Sequence, residues 1–199
     1  MHSVIYETFK TRLVPGMVSA ATKSSSPVKR WTGVYTIPQS VSIVFGTLFE
    51  EALNDLIERC TSFEAITNSK AKTYITSECK LTSVAKGNKD VDILFRNDNT
   101  IFYRESKCNL LLDSEKSKAT ANKVIMIAER LRALYPNCKI DAALLNMDWD
   151  GKKKDMHGVR IEYAGEFINR LELENISEQD YLDIGKAIGY DYREGANGS

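Results

Sequence analysis

The stretch "KDVDILFRNDNTIFYRESKCN", residues 89–109, constrains this chain more than any other. Two short apolar runs, "DVDILFR" and "IFYRESKC", flank Asn97-Asp98-Asn99-Thr100. Those four residues tolerate turn backbone angles, so the runs read as an antiparallel hairpin. Side chains alternate along each strand with period two. If Arg96 faces Ile101, then Leu94 faces Tyr103 and Asp92 faces Glu105. Lys107 lies two residues beyond Glu105, on the same side of its strand. Directly opposed Cβ atoms stand about 5 Å apart, so three ionisable groups should converge. A slip of one residue would send Asp92 to the other face.

Two carboxylates that close repel, and one is expected to hold a proton unless a cation intervenes. Mg²⁺ suits such a place, because it takes a few carboxylate oxygens together with waters. A neighbouring lysine can then orient an attacking water or stabilise charge on a phosphate. The helix "FGTLFEEALNDLIERC" offers a further acid. Its apolar face centres near Phe49, Leu53 and Leu56, which puts Glu50 at the border of that face and Glu51 nearly opposite. Glu50 is the expected member of the site and Glu51 the alternative.

The other segments supply a frame. Ile5, Phe9 and Leu13 predict a helix that Pro15-Gly16 stops. "SAATKSSSPVKRWTG" predicts an exposed basic arm containing Lys23, Lys29, Arg30 and Trp31. "KTYITSECKLTSV" alternates as one strand. Asp113 or Ser114 should cap a helix with a basic start, packed through Val124, Ile125, Ala128, Leu131 and Leu134 and ended by Pro136. "KIDAALLNM" predicts a strand buried on both faces. "DWDGKKKD" is a turn, and "GVRIEYAGEFINRL" reads as strand with a break at Gly165. "SEQDYLDIGKAIGYD" begins with the Ser177-x-x-Asp180 capping spacing, is expected to end at Gly189, and leaves "REGANGS" disordered.

This order predicts an α/β fold, a mixed β-sheet flanked by helices on both faces. At 199 residues the chain fits a single domain, 1–199: an N-terminal helix and basic arm (1–45), a core (46–147), and C-terminal strands and helix (148–199).

Charge and cysteine content narrow the function class. Lys plus Arg and Asp plus Glu both number 27, so no global polyanion-binding signature exists. The distribution is uneven: Lys70, Lys72, Lys80, Lys86 and Lys89 stand against one acid, Glu78, and Lys107, Lys116, Lys118 and Lys123 come after them. A neutral protein with a basic middle can hold a polyanion on one face. Cys60, Cys79, Cys108 and Cys138 form no metal or redox pair, which suits a reduced, cytoplasmic protein. No apolar run nears the roughly 20 residues of a membrane span, so no membrane partner is expected. His157 reads as solvated, Cys108 as packing on the opposite face, and Trp149 as a loop anchor.

"VDILF" and then "IFYRESK" resemble the PD-(D/E)xK nuclease motif, over about 46–147. Val91 stands where the motif's name has proline. The continuation "CNLLLDSEKSKAT" is similar to the segment after Glu-x-Lys in some type II restriction endonucleases. The resemblance implies a restriction-endonuclease-like core. It implies Asp92 and Glu105 as ligands of Mg²⁺ (with Mn²⁺ substituting), the Ser106 carbonyl as a further ligand, Lys107 positioning the attacking water, and Glu50 orienting the site or supporting a second metal. Double-stranded DNA would be the substrate, cut to a 5′-phosphate and a 3′-hydroxyl, with Asn109, Lys116, Lys118, Lys123, Lys29 and Arg30 as candidate DNA contacts. A homodimer is expected for cutting both strands, in a prokaryotic, phage or viral protein. Without an ATPase motif, no nucleotide cofactor is expected. Two alternatives stay open: a structure-selective, repair or homing nuclease of the same fold, and a DNA-binding module with a dead site.

Overall fold

The computed structural model describes residues 2–20, 32, 39–59, 62–108, 110, 112–173 and 176–197. Among these residues the elements run α1 (His2–Ala20), α2 (Gln39–Arg59), β1 (Glu64–Ala65), β2 (Thr73–Ile75), β3 (Leu81–Thr82), β4 (Lys89–Val91), β5 (Ile93–Asn97), β6 (Thr100–Lys107), α3 (Ser114–Leu134), β7 (Lys139–Asn146), β8 (Asp155–Met156), β9 (Val159–Tyr163), α4 (Ala164–Arg170) and α5 (Glu178–Asn197).

The main sheet has the order β1-β5-β6-β7-β9-β8. Pairing is antiparallel from β1 through β6, parallel through β6, β7 and β9, and antiparallel again at β8. A second sheet, β3-β2-β4, carries the chain into the hairpin. The expected mixed α/β sheet with helices on both faces is what the chain forms.

Strand alternation divides the core in two. Ile93, Phe95 and Phe102 point to one face, where α1, α2, α4 and α5 supply Phe9, Phe49, Leu53, Phe167 and Tyr181. Leu94, Ile101 and Tyr103 point to the other, where α3 supplies Ala121, Val124, Ile127 and Leu131. The β5–β6 hairpin is thus covered on both sides, so a slip of register would exchange two filled cores.

Several elements depart from expectation. α1 runs through Pro15 to Ala20, because Leu13 and Met17 on either side are both fully buried and packing outweighs a proline's cost to a helix. The alternating run 72–84 is two strands joined by a tight turn, in which Thr76 N donates to Lys80 O at 2.9 Å and Cys79 adopts φ +58°. After Tyr163 the chain enters helix α4 instead of continuing as strand. Gly165 sits where a Cβ would meet the Trp149 carbonyl and ring at 2.8 Å.

The Ser177–Asp180 capping pair forms as predicted, Ser177 N donating to Asp180 Oδ2 at 2.9 Å and Asp180 N to Ser177 Oγ at 3.2 Å. However, α5 does not end at Gly189; it reaches Asn197, into the tail expected to be disordered. Gly189 is required by a close crossing instead, since a Cβ there would lie 1.8 Å from the Thr32 carbonyl oxygen. Ile125, expected in the α3 stripe, is 43% exposed, and Ile127 takes its place.

Candidate active site

The hairpin register is the one that period-two alternation predicts. Arg96 pairs with Ile101, Leu94 with Tyr103 and Ile93 with Arg104. The turn is tighter than four residues: Asn97 pairs with Thr100, and Asp98 takes φ +48°, which aspartate tolerates. Asp92 stands between β4 and β5, one step past the last pair and opposite Glu105. Its Oδ2 accepts a hydrogen bond from Ser106 N at 2.9 Å.

Glu105 is buried, and both its oxygens are engaged. Lys107 Nζ lies 2.7 Å from Oε1. Tyr103 donates its hydroxyl to Oε2 at 2.9 Å, and Lys123 Nζ stands 2.6 Å from the same oxygen. Lys123 also lies 3.6 Å from Asp92 Oδ1 and 3.0 Å from Asp90 Oδ2. One ammonium therefore touches both carboxylates of the hairpin. Asp92, Glu105 and Lys107 come together at the α3 side of the sheet, with Asp90 and Lys123 added.

Glu50 approaches from α2. Asn54, one turn further along, donates to the carbonyl oxygens of Glu50 at 3.0 Å and Asp92 at 3.1 Å, and accepts from Thr67 Oγ1 at 2.6 Å. This polar stitch fixes α2 to the start of the hairpin. Glu51 turns toward Arg12 at 3.8 Å, so Glu50 is the acid that feels the hairpin's charges. Arg12 grips Asp55 through two bonds, of 2.7 and 3.0 Å, and thereby locks α1 to α2 behind the site.

The electrostatics are those of a crowded acid cluster. Burial pushes the Asp92 carboxyl well above its ordinary range, and Glu105 and Glu50 push it further, against the pull of Lys123 and Lys107. Burial also raises Glu50, to about 7, with Lys107 and Lys72 opposing and Glu105 reinforcing. Burial would lower Lys107 and Lys123, but the carboxylates beside them outweigh it and raise both. For Asp90 burial acts upward, yet the attraction of Lys123 overcomes it and holds the carboxyl low.

The donors suit Mg²⁺ by kind, being hard carboxylate oxygens of Asp92 and Glu105 with Glu50 nearby. By present orientation they face lysine, amide and phenol. Among the described residues, no three Asp, Glu, His or Cys side chains close on one point. When ionised, Asp90, Asp92 and Glu105 outnumber the ammoniums of Lys107 and Lys123 that they touch, so the cluster retains an excess for a cation.

A cleft opens beside this cluster, walled by Glu50, Asp90, Asp92, Thr47, Lys70 and Lys72. Of the candidate DNA contacts, Lys116 and Lys118 are exposed at the start of α3, where Lys116 pairs with the capping Asp113 at 3.1 Å. Lys123 does not join them; it is only 19% exposed and points into the acid cluster. Asn109, Lys29, Arg30, Lys23 and Trp31 lie outside the described residues, Trp31 beside the described Thr32. His157 is exposed in its turn and meets Ser117 Oγ at 2.9 Å. Cys108 packs toward the α2 side of the sheet, its thiol pushed up to about 12 by burial and by Glu50. Trp149 anchors its loop against Tyr181, ring centroids 5.6 Å apart.

Residue-by-residue reading missed Asp90, Asn54, Thr67 and the inward turn of Lys123. The signal for Lys123 was present, since it precedes the buried Val124 and so borders the packed stripe as Glu50 borders Phe49. No known family's sequence model matches the chain, and no solved structure matches it.

Proposed function

We propose that this chain is a Mg²⁺-dependent type II restriction endonuclease with a restriction-endonuclease-like core, hydrolysing phosphodiester bonds of double-stranded DNA at a short specific site. One observation carries the reading: Asp92 and Glu105 meet at a single ammonium while Lys107 lies 2.7 Å from Glu105, at the end of a hairpin backed by Glu50. Buried titratable groups with opposed charges beside a cleft mark a candidate catalytic site, and metal-assisted hydrolysis is one chemistry they suit.

Asp92 and Glu105 would hold the metal, with the Ser106 carbonyl as a further donor and Glu50 at the margin. When bound there, Mg²⁺ supplies Lewis-acid neutralisation of charge on the phosphate. Lys107, kept protonated by its carboxylate neighbours, donates hydrogen bonds that position the attacking water and offset charge on the non-bridging oxygens. Tyr103 and the Ser106 amide fix the two carboxylates so that neither swings away. Lys70 and Lys72 supply cations along the cleft where a phosphate strand would lie. With one site per chain, a homodimer on a two-fold-symmetric target suits the cutting of both strands.

Digestion of a sequenced DNA with Mg²⁺, and then sequencing of the ends, tests the reading. Discrete fragments with 5′-phosphate ends at one recurring short sequence support it. Cutting confined to branched junctions would transfer the same chemistry to a structure-selective nuclease.

A further inference from the structure

The hairpin accounts for two carboxylates and one lysine; it does not account for Lys123. This residue rises from α3 between the buried Ala121 and Val124, so its stem is anchored. Its ammonium contacts three carboxylates at once, Glu105 at 2.6 Å, Asp90 at 3.0 Å and Asp92 at 3.6 Å. An ammonium has three donors and no acceptor, and here each donor has an acid within reach.

We propose that Lys123 is the resident counter-ion of the Asp92–Glu105 pair and competes with the divalent cation for it. This rests on the reading of the pair as a metal site. The ammonium bridges Glu105 Oε2 and Asp92 Oδ1, and a cation bound between those two oxygens must displace it. Lys107 is differently placed: it holds Glu105 Oε1, from the same strand. Lys123 has another acid to turn to. The side chain of Asp90 is 51% exposed, and it already lies 3.0 Å from the ammonium. When a metal enters, Lys123 can shift its weight onto Asp90 without being left as an unpaired, partly buried charge.

The device has two consequences. Without metal, Lys123 keeps the acids from driving each other apart. With metal, the approach of a divalent cation to a site that already holds an ammonium is opposed, so affinity in the absence of DNA is set low. Groups around a metal site alter its affinity on the order of ten-fold or more, and removing a competitor acts in the tightening direction.

Calorimetric titration of the full chain with Mg²⁺ at pH 8, without DNA, tests this. Lys123→Met should bind on the order of ten-fold more tightly than the unaltered protein, and adding Glu105→Gln should abolish the binding. In EDTA, Lys123→Met should melt lower than the unaltered protein, and Mg²⁺ should restore it by more than it raises the unaltered chain. A lysine serving packing alone gives no such metal rescue. Lys123→Gln serves as the second variant if the Met form does not fold. Affinity equal to or weaker than that of the unaltered protein in both variants, with Glu105→Gln still abolishing binding, overturns the role of Lys123 and leaves the metal site standing. Absence of Mg²⁺ binding in every form, Lys123→Met included, overturns the metal site itself and the proposal with it.

Discussion

The backbone amide of Ser106 donates to Asp92 Oδ2 at 2.9 Å. That single bond ties the residue just before β5 to the residue after Glu105 on β6, and so helps the Lys123 ammonium hold the two hairpin acids together in the absence of a metal ion. The site is therefore built by backbone register and by charge together.

Asp92→Asn separates these two contributions. The amide oxygen can still accept from Ser106 N, and the variant carries no charge where burial already disfavours one. Its melting temperature should stay within about 4 °C of the unaltered protein, the scale of a 1 kcal/mol change. DNA cleavage should fall on the order of 100-fold or more, as when an electrostatic group of a reaction centre is removed. Parallel melts and plasmid assays check both halves.

Glu50 gives a pH dependence of defined sign. Its carboxyl is raised by burial from 4.5 to about 7, so the fold favours the neutral form. Its contribution is full below about pH 4.5 and is lost as pH rises through 7. In EDTA, Glu50→Gln should match the unaltered protein near pH 4.5 and melt higher at pH 8. A lower melt at pH 8 would show instead that the ionised form is welcomed by Lys107 and Lys72.

Away from the cluster, Arg104 and Glu162 form a fully buried pair, joined by Arg170 at 2.6 Å from Glu162 and by Asp141 at 3.1 Å from Arg104. Glu162→Gln leaves Arg104 short of its counter-charge in a dry place. A loss of about 3–5 kcal/mol is expected at pH 7 in urea unfolding. Burial would raise the Glu162 carboxyl, but Arg104 and Arg170 outweigh it and hold it low. Its stabilisation is thus present above about pH 4.5 and lost as pH falls through the lowered value; the variant should lack that acid-side loss.

Gly189→Ala tests the crossing of α5 by Thr32. A Cβ 1.8 Å from the Thr32 carbonyl oxygen forces one segment to move. Urea unfolding should show a loss of roughly 1–3 kcal/mol, typical of overpacking, despite the better helix propensity of alanine.

The parts legible in the sequence were those with short-range periodicity. Period two fixed which side of the hairpin Asp92, Glu105 and Lys107 share, and the helical border argument separated Glu50 from Glu51. The β2–β3 turn was hidden because it uses Cys79 in the left-handed region, with neither Gly nor Pro to mark it. The continuation of α1 past Pro15 and of α5 past Gly189 depends on what packs against them, which local preference does not encode. In the sequence Lys123 reads as a DNA contact of the basic helix start, because its three acids come from β4, from β6 and from the residue before β5, and only the packing of α3 on the hairpin brings them within reach.

If Asp92, Glu105 and Lys107 form a metal-dependent phosphodiesterase centre, plasmid cleavage reads it out most directly. The unaltered protein and folded Glu105→Ala and Lys107→Ala variants are compared, each with Mg²⁺ and with EDTA. Discrete fragments are expected from the unaltered protein with Mg²⁺ alone, and none from either variant or in EDTA. Undiminished cutting by either folded variant, or cutting that persists in EDTA, would contradict the assignment.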